Sequence, residues 1–241
     1  MSNMQYRQCV HPIRISLCAV RVSTNNLQEI AEEIFDNEDL ATFNKYEFPK
    51  KRMSYVLGRL SAKMAANALI QKDSIRSIKI SNAIPGNPIL LNENYDLAMA
   101  HSGELGVSIC HSRDIIVALD IEHIDNFRYR LSLDLDFFKT NGAFFDDTEC
   151  GKCTLWTILE SASKYMKIGI SADFSIFDVS SSKSIDNKYV ITELKHFPSI
   201  LVISFAFKRV VLSICVCKKM DYSCFASLAD NENLRKSFDA N

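Results

Sequence analysis

The stretch Val117-Ala118-Leu119-Asp120-Ile121-Glu122-His123-Ile124 lies at the middle of the chain and decides how the rest is grouped. It closes a strand-like apolar run from Ile115 to Ile121, and the period of two puts Asp120 and Glu122 on one face, their Cα atoms roughly 6.6–7 Å apart. Two carboxylates on one strand face are a candidate cation site, because a hard ion such as Mg2+ takes one or two carboxylates together with substrate phosphates. An acidic, solvated strand end is the plain alternative for this run taken alone.

Upstream, Ile13, Ile15, Leu17 and Ala19 alternate with polar residues and predict an opening strand. Ser23 to Asn26 offer N-caps for a short helix over Leu27 to Phe35. After Pro49, the residues Met53, Val56, Leu57, Leu60, Met64, Ala68 and Leu69 recur mostly at three and four, predicting a long helix to about Ile70 with Lys50, Lys51 and Arg52 at its start. A strand is expected around Ile78 to Ile80, then a turn at Ile84-Pro85-Gly86-Asn87-Pro88. Leu97 to Ala100, Val107 to His111 and Ile115 to Ile121 read as strands, the last two joined as a hairpin through Ser112-Arg113-Asp114.

Downstream, residues 127 to 152 show no clean period. Thr154 to Met166 reads as a helix, Tyr189 to Glu193, Leu201 to Phe207 and Val210 to Val216 as antiparallel strands, and the polar tail from Asp221 as frayed. The order of strand, helices and strands comes twice. It predicts an α+β fold of two halves, 1–114 and 115–241, with a ligand site between them.

The 241 residues suffice for a real core, and 47% hydrophobic with 24% charged residues is ordinary globular usage. With 28 basic against 29 acidic residues, a nucleic-acid partner held by bulk positive charge is not expected. Eight cysteines in this length fall below the density of a disulfide scaffold, and neither a leader nor a membrane span is read, so a cytoplasmic protein with reduced thiols is expected.

Other residues carry candidate chemistry. Glu160 and Lys164 lie one turn apart on a helix, where a surface ion pair is the simplest account. His101 and Ser102 end a strand; as neighbours they point to opposite faces, which suits a phosphate contact better than a nucleophile and its base. Trp156, the only tryptophan, reads as core. Cys150-Gly151-Lys152-Cys153 has CxxC spacing without a second pair of ligands, and Cys215 and Cys217 read as packing.

In order, KKRMSYVLGRLSAKMA, PGNPI, AHSGELGVS, ALDIEHI and WTILESASKYMKIGI resemble the Sfp-type 4'-phosphopantetheinyl transferases from about Lys50 to Ile170. The DIE triplet followed by the WxxxExxxK helix is the most specific part. The resemblance implies a pseudo-twofold pair of similar α+β halves, the phosphopantetheinyl transferase fold. The implied reaction moves phosphopantetheine from coenzyme A to a serine of an acyl, polyketide or peptidyl carrier protein, releasing adenosine 3',5'-bisphosphate. It further implies Asp120, Glu122 and Glu160 as ligands of Mg2+ or Mn2+, Lys164 at the pyrophosphate and Glu160 as candidate base. His101 with Ser102, Arg52, Arg59 and Lys63 would contact coenzyme A, and Gly86 and Pro88 would form the turn beside the adenine. The 1–114 half is then the nucleotide side and the 115–241 half the metal side of a monomer. Leu159 and Asn87 stand where the family often has basic residues, and Ala118 where a glycine is usual. A coenzyme A or carrier-protein binding protein of the same fold, impaired in turnover, is the competing expectation.

Overall fold

A computed structural model describes residues 2–5, 14–84, 87–91, 93–127, 135–169, 173–220 and 222–239. The chain divides into two compact units, Met1–Ile115 and Ile116–Asn241. Each mixes helix and sheet. Among the described residues no helix is long and apolar enough to cross a membrane, and the cysteines are free.

In the first unit, β1 (Ser2–Gln5), β2 (Arg14–Arg21), β5 (Tyr95–Ser102) and β6 (Leu105–Ser112) form an antiparallel sheet in the order β1-β2-β6-β5. Helices α1 (Leu27–Ile34), α2 (Asn37–Lys45) and α3 (Pro49–Ile70) lie between β2 and the small hairpin of β3 (Ile80–Ile84) and β4 (Asn87–Leu90) in sequence. The long α3 begins at Pro49, where a missing N–H costs nothing, and ends at Gln71 in the left-handed region. Its apolar stripe packs on β2, β5 and β6. Gly106 permits the close approach, since a Cβ there would stand 2.8 Å from the Leu57 carbonyl oxygen. A buried hydroxyl pair, Ser61 Oγ to Ser108 Oγ at 2.7 Å, pins helix to sheet.

The second unit likewise combines helices with an antiparallel sheet. Strands β7 (Val117–His123), β8 (Val179–Ile185), β9 (Tyr189–Leu194), β10 (Phe197–Ala206) and β11 (Val210–Cys217) form an antiparallel sheet in the order β7-β11-β10-β9-β8. After α4 (Ile124–Phe127) and α5 (Leu135–Asn141), α6 (Glu149–Met166) packs on β7, β10 and β11, and its Thr157 Oγ1 meets Ser213 Oγ at 2.7 Å. Trp156 is buried against Phe127 and Phe174, as core.

Three expectations are corrected. Strands β6 and β7 do not form a hairpin: both edges of β6 are taken by β2 and β5, so β7 begins another sheet beside β11. Ile78 precedes the strand that begins at Ile80, because a 3-10 turn over Ile75–Ser77 comes first. The tail carries α7 (Ser223–Ala226) and α8 (Glu232–Asp239), and Phe225, Leu234 and Phe238 are buried. Phe238 packs edge-on against Phe207 at 4.6 Å, so two apolar residues four apart suffice to dock an otherwise polar helix.

One buried group makes the first unit sensitive to acid. His111 on β6 is 3% exposed and hydrogen-bonds the Ser112 carbonyl at 3.0 Å. Burial holds its pKa below the ordinary 6.5. The unfolded chain therefore takes up its proton first, so stability is complete above pH 6.5 and declines as pH falls through that value toward the depressed folded one. Urea unfolding at pH 7.5 and 5.5 checks this: the fall in midpoint is expected to shrink in His111→Gln.

Candidate functional site

Strand β7 presents Asp120 and Glu122 at 7% and 4% exposure, paired across the ladder with Ser213 and Val211 of β11. The period of two that aligns them survives because the β7–β11 register runs without a bulge from Val117 to His123. Helix α6 starts earlier than its apolar period suggests, at Glu149, because Thr148 caps it by accepting the Gly151 N–H. Glu160 and Lys164 lie beyond the middle of this helix, on the element that packs against β7.

Lys164 reaches back to the strand. Its Nζ donates to Asp120 Oδ1 at 2.6 Å and to the Leu119 carbonyl at 3.4 Å. The surface pairing with Glu160 that the helical spacing suggests is thus not the whole of its role; its close ionic partner is a carboxylate 44 residues away. Nearer the start of α6, Cys153 is buried, with its thiol 3.9 Å from the Glu122 carbonyl oxygen. Burial raises the Cys150 thiol above its ordinary pKa, the wrong direction for a reactive or metal-binding thiolate.

Comparison with known proteins adds little. No family model matches the chain, and no curated protein does. A solved structure does match. It is the crystal structure of Thermotoga maritima holo-acyl-carrier-protein synthase (AcpS), with a TM-score of 0.31 and 16% identity, covering 43% of this chain and 67% of that one. That overlap takes in less than half of the present chain and is too loose to fix a common architecture.

Asp120 and Glu122 suit a hard cation by donor type, being two buried carboxylates on one strand face, with Glu122 Oε1 also accepting from the His123 N–H at 3.2 Å. Among the described residues no three His, Cys, Asp or Glu side chains stand together as a metal shell, so Glu160 does not close a triad with them here. The fit is that of a two-carboxylate site.

In the first unit the basic candidates on α3 have protein partners. Lys63 is fully buried, with Nζ 2.8 Å from Asp39 Oδ2 and out of line for a hydrogen bond. Arg59, 6% exposed, places Nε 3.1 Å from Asp39 Oδ1 and its guanidinium over the Tyr55 ring. The Tyr55 hydroxyl donates to the same Oδ1 at 3.0 Å, and burial lifts its pKa to about 12. Arg52 donates to the Tyr46 carbonyl at 2.8 Å and lies over Phe43. Asp39 is the residue that the sequence does not single out, for it belongs to α2, a helix with only Leu40 and Phe43 as large apolar residues to mark it.

His101 is exposed at the end of β5 and Ser102 is buried, so the two do point to opposite faces. They precede the two-residue turn Gly103-Glu104, where Gly103 adopts φ 58°. Pro88 lies in β4. Gly86 falls outside the described residues.

Proposed function

We propose that the chain transfers 4'-phosphopantetheine from coenzyme A to a serine hydroxyl of a carrier protein. One observation carries this reading: the two sequence motifs, separated by some 40 residues, meet in space, with Lys164 of the ExxxK helix on Asp120 of the DIE strand. The same reading takes the two units as two renderings of one α+β plan, in support of which each sets one long helix against its main antiparallel sheet, the first unit adding the small β3–β4 hairpin.

In that reaction the serine oxygen forms a bond to the phosphorus that carries the pantetheine arm, and the pyrophosphate P–O bond breaks. The electron pair leaves on adenosine 3',5'-bisphosphate, and the serine proton goes to a base. Asp120 and Glu122 would hold Mg2+ or Mn2+, and Glu160, which does not stand with them as a metal shell, would have to move in as the further ligand the resemblance implies. Bound there, the ion would offset the charge of the pyrophosphate. Lys164 is the mobile cation for the same phosphates, and Glu160 the proposed proton acceptor. His101 with Ser102, Arg52, Arg59, Lys63, Gly86 and Pro88 are the proposed coenzyme A contacts. For Arg59 and Lys63 this requires that they exchange Asp39 for a phosphate.

The second reading, a binding protein of this fold without turnover, is favoured by the engagement of Arg59 and Lys63 with Asp39. Incubation of the full chain with coenzyme A, Mg2+ and a set of apo carrier proteins separates the two. A phosphopantetheine adduct in the intact mass of a carrier is the expected result; carrier or coenzyme A retained without any adduct would leave the second reading standing.

A further inference from the structure

Asp120 and Glu122 place two carboxylates on one strand face, both nine-tenths buried. Packing two anions side by side away from water is costly unless cations come to them. At Asp120 the chain supplies one itself. Lys164 Nζ stands 2.6 Å from Oδ1, the length of a strong charge-assisted bond, with a second, longer bond to the Leu119 carbonyl. Across the ladder Asp120 pairs with Ser213, which brings no charge.

The lysine is held but not trapped. Its side chain is 39% exposed against 10% for that of Asp120, and it lies in the last turn of α6, three residues before the chain leaves the helix at Lys167. A four-carbon stem from that position can swing its ammonium into water by rotamer changes alone.

We propose that Lys164 is the resident counter-cation of Asp120, and that a divalent ion gains this carboxylate only by displacing it. The inference rests on the metal reading above and adds to it an exchange: when the ion takes Asp120, the ammonium is released for the anionic substrate that arrives with the ion. In the absence of coenzyme A the two cations compete, so the free protein binds a divalent ion weakly. Ion and substrate phosphates then favour one another's binding, because the phosphates give Lys164 an alternative partner.

The test is Mn2+ binding to the full chain without coenzyme A, followed by the spin-resonance signal of the free ion, for the parent, Lys164→Met, Lys164→Arg and Asp120→Asn. Lys164→Met keeps the alkyl stem and removes the competitor, and should bind Mn2+ roughly tenfold tighter than the parent, the equivalent of one charge-assisted hydrogen bond. Lys164→Arg restores a cation and should bind as weakly as the parent. Circular dichroism establishes that each variant folds, with Lys164→Gln standing in if the methionine does not. Equal affinity in parent and Lys164→Met, lost in Asp120→Asn, would overturn the exchange while leaving the metal site. Binding by none of the proteins, or binding indifferent to Asp120→Asn, would overturn the metal reading and the exchange with it.

Discussion

Asp120→Asn is expected to abolish transfer, by about a thousandfold or more in turnover, while the folded protein is retained. The amide keeps the shape of the carboxyl group and so preserves the packing of β7 between α6 and β11. It loses the charge that binds either cation, Lys164 or the divalent ion, and neither remains anchored where the pyrophosphate is to be met. The expected cost in stability is small, on the order of 1 kcal/mol, because Lys164 is more than a third exposed and its ion pair is correspondingly screened. Intact-mass transfer assays and circular dichroism on the same preparation give the two halves of the result. Transfer at the parental rate with ordinary dependence on Mg2+ would remove Asp120 from the site.

The largest effect on stability is expected from Asp39→Ala. Removing this one carboxylate leaves Arg59 and the fully buried Lys63 without their anion, and breaking a buried pair from one side costs about 3–5 kcal/mol. Lys63→Met should cost far less, since it removes a buried charge together with its desolvation and leaves Asp39 paired with Arg59. Denaturant titration of both variants distinguishes them. The lysine variant also bears on coenzyme A: a raised Michaelis constant at unchanged stability would make Lys63 a ligand contact that leaves Asp39 on binding, whereas an unchanged constant would confine it to the fold. Equal, small losses from Asp39→Ala and Lys63→Met would mean that the cluster is hydrated in solution.

Much of this was legible from local pattern. The α3 stripe is marked by Met53, Val56, Leu57 and Leu60, and the shared face of Asp120 and Glu122 follows from strand geometry alone. What escaped was set by distant partners. The hairpin expected through Ser112-Arg113-Asp114 fails because β2 already occupies the edge of β6, a fact about residues some 90 positions upstream. Helix α2 has too few apolar residues to announce itself, and with it went Asp39, the anion that claims Arg59 and Lys63. The contact of Lys164 with Asp120 was out of reach for a related reason: helical spacing identifies a neighbour at four residues, and this carboxylate belongs to another element.

The pairing of β7 has a consequence for how the protein is made. In its sheet β7 is an edge strand whose neighbour is β11, so Asp120 finds Ser213 only after about ninety further residues have been added, and loop closure over that span precedes the pairing. A nascent chain that has just left the ribosome through Lys164 holds every acidic and basic residue of the candidate site and still lacks the strand that fixes two of them in place. Loss of the segment after Lys208 would likewise delete none of Asp120, Glu122, Glu160 or Lys164, yet would take away β11 and dismantle the site from behind. If the proposed transfer is this protein's reaction, it requires synthesis through β11, and copies that end before that strand would not react with coenzyme A.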